Sequence, residues 1–379
     1  MRASVVAAAL AGAVSLAAAA AGAGAAPAPP PLAARAYVLV SGVDGATLAA
    51  RAADEPRPIA SITKLMTVLV ALDHLRLDDV VAVPEVATGI GESSVELRAG
   101  ERLSVRELVL ATLVPSANDA ATTLAYAASG GSIARFVAWM NERARALGLA
   151  HTHFANPHGL DAPGHVASAR DVVRLLRAAL ALPVVRRDAR MVQAAIAGGR
   201  QVVTTDDLLR RFPPLLAGKT GHTAGAGWSE VAAARLGRVT VYGAVLGEPS
   251  RERRNDDLQA LLAWGLGQYG RVLVADPRRV YAVARSPYGR PAVRLRAARR
   301  VVRLQRVGRP LLERVVAPVE VRLPVRRGER LGEVRVYERG RLVARSPLVA
   351  DRSVARPGLL GRVGWYATRT LHHLASLVT

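Results

Sequence analysis

The sequence predicts an α/β fold: a large mixed domain, then a small β domain, then a terminal amphipathic helix. Three observations predict it. Between residues 33 and 270, apolar helical stretches alternate with short strand-like runs. Over 275–350, apolar residues alternate one for one with Arg or Glu. Over 356–379, the apolar residues gather on one helical face. The 379 residues leave room for one large domain and a smaller companion, at roughly 100–200 residues per domain. A hydrophobic content of 51% excludes a disordered chain. There is no cysteine, which excludes thiol catalysis, disulfides and cysteine-ligated metal centres. The eight histidines show no HExxH spacing, so neither a metal nor a cofactor is expected.

The chain opens with a basic Met1-Arg2 and an Ala-rich apolar stretch to about Ala21. Ala21-Gly22-Ala23 and Ala23-Gly24-Ala25 are small-x-small cleavage sites, and the prolines within 27–31 break any helix. Residues 1–26 therefore read as a secretory signal peptide, with an uncleaved anchor as the alternative. Either way, the mature chain is expected outside the cytoplasm.

Residues 37–40 and 46–50 read as two strands around a Gly-containing turn. Residues 58–72 read as a buried helix entered through Pro58, and 104–128, 132–147 and 168–182 as further helices. Ser168, three residues before Asp171, has the form of a helix cap. Residues 230–246 read as two strands around a Gly turn, and 256–264 as a helix. In the small β domain, 301–307, 319–325, 334–337 and 342–345 carry the period of half-exposed antiparallel strands, with a hairpin turn at 338–341. In 359–379, Leu359, Leu360, Val363, Tyr366, Ala367 and Leu371 fall near one face, and Arg362 and Arg369 elsewhere. Such a helix either docks on the protein's own core or lies in an anionic membrane surface; its central charges argue against spanning a bilayer.

Charge is unevenly spread. Residues 270–379 carry 25 arginines and seven acids, a net +18, whereas residues 1–269 carry 27 basic and 23 acidic side chains, a net +4. Nucleic acid is the reflex partner for such a patch. An exported chain with 4% aromatics and no stacking pattern makes anionic lipid or wall polymer the better reading, and no nucleic-acid partner is expected.

Of 52 basic side chains, 50 are Arg; the two lysines are Lys64 and Lys219. A lysine kept in that background points to a task Arg cannot perform, because a buried amine can lose its proton and a guanidinium cannot. Lys64 follows Ser61 by three residues at the start of a buried helix, which puts both side chains on one face. An amine within reach of a hydroxyl is the minimum apparatus of a Ser–Lys nucleophile. Lys219-Thr220-Gly221 lies just after Pro213-Pro214, and Ser116-Ala117-Asn118 follows Pro115 at a helix start. Each motif alone is weak. Together, in the order SxxK, SxN, KTG, and holding both lysines, they are specific.

With these motifs the sequence resembles the penicillin-binding serine D-alanyl-D-alanine carboxypeptidases over about residues 35–270. The likeness extends to the residues from Pro58 to Thr67, to Asn156-Pro157-His158-Gly159-Leu160-Asp161, to Gly164-His165 with Ser168-Ala169-Arg170-Asp171, and to Gly218-Lys219-Thr220-Gly221-His222-Thr223. It continues from Val245-Leu246-Gly247 through Arg254 to Gly265. The resemblance implies an antiparallel sheet flanked by helices for residues 33–270. It makes Ser61 the nucleophile, Lys64 its base, Ser116 a proton relay and Lys219 a fixed positive charge. Asn118, Thr220, Gly221 and Arg254 would hold substrate, and the backbone N–H groups of Ser61 and His222 would form the oxyanion hole. The implied partners are a peptidoglycan stem peptide ending in D-Ala-D-Ala and β-lactam antibiotics. His158 is read as structural.

Two positions depart from the family pattern. Asp206-Asp207 stand before Leu208-Leu209 where Asn is usual, and Glu230 takes a usually apolar strand position. Both are expected to alter local packing without touching a motif residue. Two other readings carry the same motifs: a class A β-lactamase, and a catalytically silent wall- or lipid-binding protein. The first lacks its Glu-x-x-Leu-Asn segment between Ser116 and Lys219. The second has no use for a deprotonated lysine.

Overall fold

The computed structural model describes residues 27–375. The expected signal peptide, 1–26, and the last four residues of the terminal helix, 376–379, lie outside the described residues. The described chain divides into Ala28–Gly267 and the segment from Gln268 onward.

The first unit is built on five antiparallel strands: β1 (Ala36–Ser41), β2 (Thr47–Arg51), β3 (Leu215–Thr223), β4 (Gly227–Leu236) and β5 (Val239–Glu248). Their order is β2-β1-β5-β4-β3, which joins the start of the domain to its end and leaves β3 at an edge. Alternation along β1 sends Ala36, Val38 and Val40 into the main helical core. Leu39, Val241 and Gly243 instead meet the last helix of the unit, α6 (Arg251–Leu266). The core side holds α1 (Lys64–His74), α2 (Val105–Leu113), α3 (Asn118–Ala128), α4 (Ile133–Ala146) and α5 (Ala169–Ala179).

Three expectations change in detail. The helix read over 58–72 begins as a 3-10 turn, Ala60–Thr63, with Ala60 at φ +47, and turns α-helical only at Lys64. The helix read over 104–128 is two helices, because Pro115 cannot donate to the ladder and Ser116 takes φ +65. The helix read from 256 starts five residues earlier, on a Ser250 cap whose Oγ accepts from Arg253 N. The polar run 251–255 shows no apolar period, which hid it. Ser168 caps α5 as expected, its Oγ accepting from Asp171 N at 3.1 Å.

From Gln268 onward, β6 (Tyr269–Ala275), β7 (Val280–Ala284), β8 (Val293–Ala297), β9 (Val301–Arg306), β10 (Leu312–Val316), β11 (Arg330–Glu338) and β12 (Arg341–Ala350) form two sheets, β6-β9 and β7-β8-β12-β11-β10. Val293, Leu295, Val334 and Leu348 fill their own core. The turn 338–341 is a two-residue hairpin in which Arg339 (φ +47) and Gly340 (φ +78) match the strand twist. The strand read over 319–325 does not form. Pro318 and Pro324 deny it ladder donors, leaving isolated bridges from Glu320 to Arg285 and from Val325 to Val354. The terminal helix, α7 (Leu359–Ala375), exposes Leu359, Leu360, Val363 and Tyr366. Among the described residues, no helix is long and apolar enough to cross a membrane.

Ser104 and Glu107 cap α2 reciprocally: Ser104 Oγ accepts from Glu107 N at 3.3 Å, and Glu107 Oε2 accepts from Ser104 N at 2.9 Å. Ser104→Ala is expected to destabilise the protein by about 1 kcal/mol, read as a lower thermal midpoint; an unchanged midpoint contradicts that role.

Candidate active site

The SxxK segment, the break between α2 and α3, the 156–159 loop and edge strand β3 meet at one point. Lys64 is fully buried at the first position of α1. Its Nζ lies 2.6 Å from Ser61 Oγ, 2.6 Å from Asn118 Oδ1 and 2.9 Å from the His158 carbonyl. Burial and the nearby Lys219 push its pKa well below the usual lysine range. A neutral amine keeps two N–H donors and one lone pair. Asn118 Oδ1 and His158 O can only accept, so they take the donors. The lone pair is left to face the Ser61 hydroxyl. Asn118 is itself fixed by donating Nδ2–H to Gly91 O at 2.8 Å.

Ser116 sits in the strained break, and Lys219 Nζ donates to its Oγ at 2.8 Å and to Thr220 O at 2.9 Å. Lys219 is also fully buried, and burial lowers its pKa to about 7. Thr220 Oγ1 lies 2.6 Å from Thr205 Oγ1. Gly221 is sterically required: a Cβ there would stand 2.6 Å from Ile59 O and 3.2 Å from Ser61 N. Strand β3 therefore runs against the 3-10 turn, bringing the residue after Gly221 beside the Ser61 backbone. The His222 ring stacks on Trp228, centroids 4.0 Å apart, and the Arg254 guanidinium lies 5.8 Å over the same Trp. Ser61, Ser116, Thr220, Gly221, His222 and Arg254 all line one cleft of about 790 Å³. Lys64, Asn118 and Lys219 stand behind its wall.

All nine residues singled out in the sequence thus converge. Sequence reasoning, which expected the backbone N–H groups of Ser61 and His222, missed the contributions of the 156–159 loop. The His158 carbonyl receives Lys64, while the ring, with a pKa lowered to about 4 by burial, accepts from Leu160 N. Gly159, at φ +92, carries the loop past Ala60, whose carbonyl any Cβ would strike. Glu92 and Ser93 also line the cleft and were not foreseen. Polar residues in a loop of no regular period give no sequence signal.

The two departures from the family pattern do reach the motifs, which corrects the earlier expectation. Glu230 and Asp206 are buried beside Gly218, and both act electrostatically on Lys219. Among the described residues, no cluster of His, Asp or Glu has the geometry of a metal site.

Residues 23–250 match the family model described as D-alanyl-D-alanine carboxypeptidase. The chain is 32% identical to the D-alanyl-D-alanine carboxypeptidase DacD of Salmonella typhimurium over 88% of this chain and 89% of that one. Penicillin binding protein 5 from Haemophilus influenzae has a similar structure, with a TM-score of 0.64, 27% identity, and coverage of 87% of this chain and all of that one. Penicillin binding protein 6B from Escherichia coli is comparable, with a TM-score of 0.64, 29% identity, and coverage of 86% and 98%. The motifs, their convergence and these matches agree: the chain belongs to the D-alanyl-D-alanine carboxypeptidase family of serine peptidases.

Proposed function

We propose that Ser61, Lys64, Ser116 and Lys219 carry out the family's reaction, removing the terminal D-Ala from peptidoglycan stem peptides. One observation carries the assignment: the Lys64 amine, buried and held by two acceptors, aims its third position at Ser61 Oγ.

The substrate's C-terminal residues pair along the free edge of β3, where main-chain hydrogen bonds supply affinity. Gly221 keeps that edge clear, and Arg254, Thr220 and Lys219 meet the terminal carboxylate. Asn118 contacts the substrate amide as well as Lys64. Ser61 Oγ attacks the penultimate D-Ala carbonyl carbon as its proton passes to Lys64 Nζ. The oxyanion gathers the N–H groups of Ser61 and His222. Collapse breaks the C–N bond; a proton passing from Lys64 through Ser116 neutralises the departing D-Ala amine. Water, deprotonated by Lys64, then releases the shortened peptide and restores Ser61. A β-lactam carbonyl enters by the same acylation.

We also propose that the chain works outside the cytoplasm, exported by residues 1–26 and held on an anionic membrane surface by 356–379. The exposed Leu360 (90%) and Val363 (64%) of α7 support this, together with a cavity of about 900 Å³ beside them lined by Arg322, Arg356, Arg369 and Trp365. The acyl-enzyme chemistry and this surface contact are separable.

Lys64→Arg keeps the charge but loses the base, and is expected to cut benzylpenicillin acylation by about 10³-fold or more. Mass spectrometry of the wild-type adduct should map it to the peptide containing Ser61; an active Arg variant, or an adduct elsewhere, contradicts the scheme. Turnover needs Lys64 neutral and Lys219 charged. The acylation rate should therefore rise with pH as Lys64 loses its proton, then fall as Lys219 loses its own at about 7. A rate still climbing at about pH 9 would argue against this assignment. Deleting 356–379 is expected to abolish co-flotation with anionic vesicles while D-Ala release continues; retained flotation contradicts the membrane assignment.

A further inference from the structure

Arg254 is the largest side chain buried in the protein, 1% exposed, and yet it lines the cleft. A guanidinium cannot shed its charge, so its burial must be balanced by anions and acceptors. Its Nε and Nη2 donate to Asn255 Oδ1, its neighbour on α6, at 3.1 and 2.6 Å. Two carboxylates face it. Asp207 stands 3.6 Å from Nη2 but is a third exposed and is bound by Arg251 through two 2.7 Å hydrogen bonds. Glu230 stands 3.0 Å from Nε and is wholly buried, so water does not compete for that contact.

Glu230 shares its pocket with a second buried carboxyl, Asp206, both standing beside Gly218. Among the described residues no N–H or O–H donor satisfies Asp206 Oδ2 or either Glu230 oxygen. Burial favours their protonation, while Arg254 opposes it. The two carboxyls form one buried pair. It is built into the KTG strand: a Cβ on Gly218 would come 2.6 Å from Asp206 Oδ2 and 3.2 Å from Glu230 Oε1.

We propose that Glu230, 3.0 Å from Arg254 Nε and buried beside Asp206, is the positioning residue that holds the Arg254 guanidinium where it meets the substrate's terminal carboxylate. Glu230 touches no substrate; it acts through Arg254. The inference rests on the carboxypeptidase reading above and adds how that site recognises its anion. The groups facing Glu230 are Asp206 and Asp207 from the loop before Leu208, Arg254 from α6 and Lys219 from β3.

The test compares full-length wild type, Glu230→Leu and Glu230→Gln, each checked by thermal melting. The reactions are D-Ala release from a peptide ending in D-Ala-D-Ala and turnover of the same peptide with its terminal carboxylate amidated. Glu230→Leu is expected to raise KM for the acid about tenfold with little change in kcat, and to shrink the preference for acid over amide by a similar factor. Glu230→Gln keeps the shape and polarity beside Arg254 and can donate to Asp206, so it should stay within about threefold of wild type at neutral pH. An unchanged acid-to-amide preference in Glu230→Leu, or an equal loss in both variants, overturns the proposal. If Glu230→Leu does not fold, Asp206→Asn with Glu230→Gln removes the charge without changing shape. That double variant should likewise raise KM for the acid about tenfold and shrink the acid-to-amide preference with little change in kcat, and an unchanged preference overturns the proposal. A wild type that releases no D-Ala would instead refute the reading on which this one rests.

Discussion

Everything in the catalytic domain follows from taking two lysine amines out of water close to one another. A buried ammonium loses hydration that protein contacts replace only in part, and a second positive charge nearby raises the cost further. One of the two must give up its proton. Lys64, with one acceptor from α3 and one from the 156–159 loop, is the amine that becomes neutral; Lys219, beside Asp206 and Glu230, keeps more of its charge. The division of labour is set by what surrounds each nitrogen. This also explains why a chain with 50 arginines keeps these two lysines: a guanidinium at either position would remain charged, and the asymmetry would vanish.

That asymmetry depends on backbone placement. Ser61 and Lys64 are three residues apart, but a plain α-helix does not describe their setting; the 3-10 turn brings Ser61 out while Lys64 begins α1. Ser116 occupies a left-handed conformation that a serine rarely adopts, held between Pro115 and the start of α3. The steric demands of Gly159 and Gly221 clamp the Ala60–Ser61 backbone from two sides. The reactive groups sit at ends and breaks of elements, while the elements themselves are ordinary packed helices and strands.

This is why the site was more legible in the sequence than its surroundings. Side-chain chemistry is local: Ser61 with Lys64, Ser116 with Asn118, and Lys219 with Gly221 are short spacings that survive any error in helix ends. Contacts over long separations are not local. The His158 carbonyl reaches Lys64 across 94 positions, and any residue type offers a carbonyl, so no pattern announces it. The helix break at 114–117 was invisible to apolar periodicity because the apolar residues continue through it. In the C-terminal unit the two-residue period worked where strands pair, at 334–337 and 342–345, and failed at 319–325. There the same alternation was present but two prolines removed the donors. Alternation reports which face is wet; it does not report whether a neighbour can be bonded.

Glu230 shows the opposite limit. At a strand position expected to be apolar it looks like a defect, and alone it would be one, since a fully buried carboxylate is costly. Asp206 and Gly218 change its meaning. The small residue on the KTG strand opens the space, the second carboxyl stands beside it, and Arg254 supplies a positive charge that opposes the protonation burial favours. Asp206, Glu230 and Arg254 are separated in the chain and make sense only jointly, so an apolar residue in place of any one leaves a buried polar partner without its neighbour. A site that must bind an anion through a buried arginine needs an internal counter-charge weak enough to leave that arginine attractive. Glu230, which burial drives toward its neutral form, meets this requirement better than a fully charged carboxylate would.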